Sequence, residues 1–394
     1  MTLPQPSLWS DLKSSRWVVN PGSFIPTSSC PFALTPSASS FKLLLVPLVF
    51  YINWEVLAPF VAQGLQNPFR PFFFISYPVS SSPDSDPRYR KGYLDLVFLA
   101  YHIVLFSFVR QIITINICHP IARYFGLKSR AKCDRFGEQG YAVVYFAVMG
   151  AWGFRIMSQL PSYWYKTEHF WRGYPHWDML PDLKQYYLIH LAYWCQQLIV
   201  LLLRLEKPRK DHNELVAHHI VTLWLAGGSY LVNMTIIGNA VYMSMDIPDV
   251  FLAVSIFLSR PFASSHYPRQ ISKILNYLQL THAKLVAFIV FLCIWTYFRH
   301  YLNIVMLWSV WYEFDLAPEA NRVWAPETGA WLVWWMKYQI FLLLLLLQIL
   351  NLFWYYFILR IALRSLKPST MTDDRSDDED DGDANGHIDH EKDD

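Results

Sequence analysis

Two short runs in the 394-residue chain hold side chains able to take and give protons in an apolar setting. One is Glu214 to Thr222, with His218 and His219 side by side; the other is Met243 to Leu252, with Asp246 and Asp249. Each sits in an apolar segment of bilayer length, where ionisable groups are costly and by default mark a functional site. Neighbours on a helix lie about 100° apart, so the two imidazoles cannot face one way, whereas Thr222 shares a face with each at spacings of four and three. Asp246 and Asp249, three apart, are predicted to share a face continued by Tyr242 and Leu252, and Pro248 between them removes a backbone donor. Imidazole titrates near neutral pH and is suited to general-base work, and a carboxylate can orient it. The alternative is that these groups only hydrogen-bond across helices and lock their packing. No metal is expected, because the HExxH spacing is absent and adjacent histidines make poor joint ligands.

The elements that must position these groups follow from composition. The chain is 54% hydrophobic and 17% aromatic but only 16% charged, where a soluble protein carries about a quarter charged residues. The predicted fold class is all-α, a polytopic transmembrane bundle of about eight spans. Spans are expected at Phe41 to Val61, Tyr93 to Ile113, Tyr141 to Leu160, Tyr186 to Leu203, Glu214 to Met234, Ala240 to Leu258, Thr281 to Trp308 and Trp331 to Leu359. Basic residues cluster after the second span (Arg123, Lys128, Arg130, Lys132, Arg135) and after the fourth (Arg204, Lys207, Arg209, Lys210), which puts both connections on the cytosolic side. The first loop, with Arg70, Arg88, Arg90 and Lys91, opposes that assignment. The net charge of +2 gives no argument for nucleic acid. The five cysteines are scattered and read as packing residues. Trp and Tyr near span ends, among them Tyr165, Trp171, Trp324, Trp331 and Trp335, read as an interfacial belt, with a lipid-binding platform as the alternative. The Asn233 sequon lies against a span and is expected to be unmodified.

A short turn at Gly238 and Asn239 is predicted to fold the fifth and sixth spans into a hairpin. Counting from that turn puts His219 roughly 28 Å and Asp249 roughly 15 Å away. The histidines would then stand nearer the cytosolic surface than the carboxylates, with Asp249 the better placed of the two to reach them.

The runs Arg209 to Thr222, Met245 to Ser255, Lys273 to Leu278 and Trp295 to Asn303 resemble the signature of the TLC-domain ceramide synthases, the fungal forms above all. The resemblance covers about Tyr93 to Leu359. It implies transfer of a long-chain acyl group from acyl-CoA to the amine of sphinganine or phytosphingosine, with acyl-CoA as co-substrate and no cofactor. It further implies an endoplasmic reticulum membrane protein with its C-terminal tail in the cytosol, and a possible dimer or small accessory subunit. His218 is then the acyl-accepting nucleophile or the direct base, His219 its partner in proton transfer, and Asp249 and Asp246 the groups that orient an imidazole. Arg204, Lys207, Arg209 and Lys210 are placed to meet the CoA phosphates, and Thr222 and Tyr242 to line the substrate site. A non-catalytic lipid sensor of the same fold and a proton-coupled transporter remain the alternative functions.

The implied organisation is an N-terminal arm over 1–40, a first span and loop over 41–92, the TLC-type domain over 93–366 and an acidic tail over 367–394. In the family pattern Lys273 would follow Ser255 directly, but here residues 256–272 intervene, with Pro261, Pro268 and a Ser-rich centre. A retained intron and a natural loop insertion both account for this. The intron reading predicts a spliced transcript without codons 256–272; a mature message that still encodes them refutes it.

Overall fold

The computed structural model describes residues 37–61, 64–83, 85–124, 127, 129–203, 211–259 and 280–365. Eight long helices are found among them: α1 (Ser37–Val61), α2 (Leu94–Tyr124), α3 (Arg130–Gln159), α4 (Pro181–Leu202), α5 (His212–Leu231), α6 (Thr235–Ser259), α7 (Leu280–Tyr312) and α8 (Met336–Ser365). They lie where the apolar runs place them, and among the described residues there is no strand, only isolated bridges such as Tyr89 with Met179. Segments within α1, α2, α3, α7 and α8 are long and apolar enough to cross a membrane. The remaining three, α4, α5 and α6, carry the buried His190, Gln196, His218, His219 and Asp246. Two helices are interrupted by wider, π-helical turns, α2 at Ile113–Cys118 and α7 at Thr296–Tyr301, a device that rotates side chains off the regular register.

Packing closes six helices into a ring. α3 lies against α6, α6 against α7, α7 against α8, α8 against α5, α5 against α4, and α4 back against α3, with α2 on the outside of α4 and α1 on α2. The core between them is unusually aromatic: Trp171, Tyr174, Tyr186 and Tyr187 are among the fully buried side chains. Trp171 and Tyr165 are therefore core residues, not belt residues. Trp171 Nε1 donates to Ser309 Oγ at 2.8 Å and Tyr165 OH to the Ala240 carbonyl at 2.9 Å, so each polar tip is satisfied inside the bundle.

The hairpin turn is displaced from its predicted place. α5 ends at Leu231 and α6 starts at Thr235, so the turn is Val232, Asn233 and Met234, and Gly238 and Asn239 lie inside α6. Asn233 supplies the turn: it takes a left-handed φ of 61°, which Asn tolerates better than most residues, and its Nδ2 donates to the Gly329 carbonyl at 2.8 Å. That buried amide is unavailable for glycosylation. Gly238 serves packing instead, since a Cβ there would collide with the Tyr187 ring. Recounted from the true turn, His218 and Asp249 stand roughly 20 and 21 Å away, so imidazoles and carboxylates share one level.

At the end of the bundle away from the histidines, Lys184 is fully buried and its Nζ pairs with Asp95 Oδ1 at 2.8 Å while donating to the Ser76 and Arg90 carbonyls. Tyr230 OH donates to Asp95 Oδ2 at 2.8 Å. This joins α2, α4, α5 and the 76–92 loop through one carboxylate. Removing one partner of such a pair costs about 3–5 kcal/mol, whereas removing both charges together costs far less. Lys184→Met is therefore expected to lower the melting temperature in detergent clearly, and adding Asp95→Asn, which still accepts from Tyr230, to restore much of it.

Candidate active site

α5 presents both histidines to the ring interior from adjacent positions, and the price of adjacency is divergence: their rings stand at 90° with centroids 5.7 Å apart. His219 Nδ1 donates to the Leu215 carbonyl one turn back at 2.7 Å, which fixes its tautomer and leaves Nε2 as the free lone pair. His218 Nδ1 is buried without a hydrogen-bond partner among the described residues. Trp194 of α4 packs edge-on against both rings, at 5.8 and 5.2 Å, and Trp354 of α8 packs against His218 at 5.3 Å. Trp354 is itself tethered, its Nε1 donating to Asp211 Oδ2 at the start of α5 at 3.0 Å. Three helices thus hold the His218 ring.

The two aspartates diverge. Asp246 faces α4, sharing a 2.7 Å hydrogen bond with His190 Nε2, and both side chains are essentially inaccessible. The Tyr186 and Tyr242 rings close over His190 at 4.5 and 4.1 Å. Asp249 faces α7, where Arg299 Nη2 donates to its Oδ1 at 2.6 Å. The predicted common face is thereby corrected: three residues on a helix subtend about 300°, and two neighbouring helices offer a basic side chain on either side of that offset. The expected direct bond from an aspartate to His218 or His219 is likewise absent among the described residues. Arg299 comes from the π-helical turn of α7 and also donates to Asn351 Oδ1 and to the Met245 carbonyl, each at 3.0 Å. That carbonyl lies beside the break at Pro248, whose missing N–H leaves the preceding turn of α6 short of one hydrogen bond.

Two cavities meet at this point. One, of about 340 Å³, is walled by α5, α6 and α8 with Leu225, Val241, Met245, Leu343 and Leu347, and ends among Trp324, Trp331 and Trp335. It runs along α5 from His218 past Thr222 to Leu231, roughly 20 Å. The three tryptophans predicted as belt residues therefore cap a cavity. The other, of about 300 Å³, carries Arg110, Glu138, Gln197, Asp211, His212 and Asp249 among its lining residues, with His219. Trp194, His218 and Arg299 line both.

The sequence-predicted site is thus partly assembled. His218, His219 and Asp249 come together; Asp246 lies one helical turn away in the buried pair with His190. Thr222 and Tyr242 line the apolar cavity. Arg204, Lys207, Arg209 and Lys210 lie outside the described residues, as do Lys273, most of 256–272, the N-terminal arm to residue 36 and the acidic tail. His190 and Arg299 were not singled out from sequence; the only signal was an ionisable residue inside an apolar run. Among the described residues no three His, Cys, Asp or Glu side chains gather as a metal site would require. Cys118 and Cys133 are free and buried.

Because Asp246 and His190 answer only to each other, their substitutions should not add. His190→Ala and Asp246→Asn are each expected to lower the melting temperature, and the double variant to be less destabilised than the sum by at least about 1 kcal/mol in a double-mutant cycle.

The TLC domain profile matches residues 135–260 and 262–360, breaking where the atypical insertion lies. Sphingosine N-acyltransferase lac1 of Schizosaccharomyces pombe is 38% identical over 348 residues, spanning 87% of this chain and 83% of that protein. Ceramide synthase LAG1 of Saccharomyces cerevisiae is 37% identical over 326 residues, 83% of this chain and 74% of its own. The sphingosine N-acyltransferase-like protein FUM17 of Gibberella moniliformis is 38% identical over 311 residues, 78% and 75% of the two chains. The helices, the paired histidines and these similarities agree, and the chain belongs to the TLC-domain family, among the sphingosine N-acyltransferases.

Proposed function

We propose that the chain transfers a long-chain acyl group from acyl-CoA to the amine of a sphingoid base, releasing CoA and forming a ceramide. The observation that carries this is the junction at His218. An acyl-CoA has a polyanionic head and an apolar tail joined at the thioester, and the two cavities differ in the same sense, one lined almost wholly by apolar groups and the other mixed and rich in ionisable ones. Head and tail in their matching cavities bring the thioester to the boundary, where His218 stands.

The chemistry needs a neutral imidazole there. The sphingoid amine is largely protonated at neutral pH and must lose a proton before it can attack. His218 serves as acyl-accepting nucleophile or as direct base. His219, with Nδ1 committed to the Leu215 carbonyl, offers Nε2 to the polar cavity and passes protons onward. A thioester is already activated, so the reaction needs no metal and no cofactor. The tight walls of Trp194 and Trp354 fix the His218 ring, which lowers the entropic cost of reaching the reactive geometry.

Arg204, Lys207, Arg209 and Lys210 immediately precede Asp211 and His212 in the sequence, two residues that line the second cavity, and in this reading they meet the CoA phosphates. The same clusters of basic residues favour a cytosolic position for that end, and in this reading the acidic tail lies on the same side of the endoplasmic reticulum membrane. A second copy or a small accessory subunit would join the bundle from the lipid-facing side.

The test is CoA release from purified protein in detergent, given acyl-CoA and a sphingoid base. His218→Ala and His219→Ala are expected to lower kcat by about 10²- to 10⁴-fold. Turnover that survives both substitutions refutes the catalytic assignment; sphingoid flux without acylation would identify a transporter, and saturable lipid binding without CoA release a sensor.

A further inference from the structure

Among the described residues, Arg299 is the one arginine or lysine that lines both cavities. It is almost wholly buried, at 4% exposure, and its guanidinium is held from three directions by Asp249, Asn351 and the Met245 carbonyl. Its carbon centre also lies 4.6 Å from the Trp295 ring centroid. A side chain with this many restraints does not reorganise when charge appears beside it. Its Nε is buried and has no hydrogen-bond partner among the described residues, so protein acceptors do not fully match the guanidinium's donors.

Resting on the acyl-transfer reading above, we propose that Arg299 is a catalytic residue that stabilises the oxyanion formed at the thioester carbonyl. Attack by nitrogen on the carbonyl carbon forms the C–N bond and moves the C=O electron pair onto oxygen. Collapse of that intermediate restores the C=O bond, breaks the C–S bond and expels sulfur as a thiolate. The ammonium substrate gives up two protons over the whole reaction, one to the thiolate and one to solvent, so charge and atoms balance without any further reactant. The negative charge on oxygen is transient and lies at the boundary of the two cavities. Arg299 stands on that boundary together with His218, so one supplies nitrogen or base and the other the fixed cation. Donors and charges oriented before the reaction contribute most in a water-poor site. Asp249 is then a positioning residue: it keeps the resting pair neutral inside the bundle and aims the guanidinium.

The rival explanation is that Arg299 only neutralises Asp249. Arg299→Gln alone does not separate the two, because it leaves Asp249 buried without a counter-charge and endangers folding. Arg299→Gln combined with Asp249→Asn keeps the wall neutral and polar. We expect this double variant to melt near the wild-type temperature and to bind a thioether analogue of acyl-CoA within about threefold of wild type, while kcat falls about 10²- to 10³-fold. Arg299→Lys, which keeps a cation without the planar fork, is expected to fall between the double variant and wild type. A double variant with kcat within about threefold of wild type overturns the proposal. So does Arg299→Lys that melts normally yet is no more active than the double variant. Failure of the wild-type protein to release CoA at all would instead remove the acyl-transfer reading on which the proposal stands.

Discussion

Among the described residues, three carboxylates taken inside the bundle each meet a basic side chain, and the architecture is arranged around those meetings. Asp95 faces Lys184, Asp246 faces His190 and Asp249 faces Arg299, at 2.8, 2.7 and 2.6 Å. An isolated charge in an apolar interior is far too costly to persist, so each pair also dictates which helices must approach: α2 with α4 on the flank, α6 with α7 along the ring, and α4 with α6 across it. The pairs contribute modestly to net stability, since desolvation offsets much of the attraction, but they exclude arrangements of the same helices that would leave a charge alone.

The ring leaves a lumen, and its division into a polar and an apolar part follows from which faces turn inward. α8 turns Leu343, Leu344 and Leu347 of its leucine run inward, and α5 and α6 offer Leu225, Val241 and Met245. Toward the other end the inward faces carry Asp211, His212, Asp249 and Arg110. His218 lies where the character changes. A bifunctional substrate with one charged and one greasy half is sorted by such a cavity before any chemistry begins, which is an efficient use of binding to position a reacting bond.

Local departures from regular helix concentrate at the same level. The π-helical turn Thr296–Tyr301 swings Arg299 and His300 inward together, and His300 Nδ1 is held by Gln348 of α8 at 2.8 Å while Asn303 Nδ2 donates to Gln348 Oε1 at 2.7 Å. Opposite it, Arg299 takes the Met245 carbonyl of α6, one residue beyond the Ser244 carbonyl that Pro248 leaves without its helical donor. Regular helices on both sides would present these side chains about a residue out of register. Two separate links, Arg299 to Asn351 and His300 with Asn303 to Gln348, thus tie the irregular turn to α8.

How much of this was legible beforehand depended on range. The apolar runs fixed where the helices lie, because a segment crossing a bilayer must satisfy its backbone internally, and the pairing of His218–His219 with Asp246 and Asp249 marked the right hairpin because ionisable groups inside such runs are rare. The turn was misplaced by about five residues: Gly and Asn at 238–239 looked like the break, but Gly238 is required for the close approach of Tyr187 and Asn233 does the turning. What the linear chain did not contain was partnership. That Asp246 belongs to His190, 56 residues earlier, and Asp249 to Arg299, 50 residues later, was decided only when the ring closed, since a buried charge selects its partner from whatever helix packing brings within reach, at distances that no periodicity along the chain encodes.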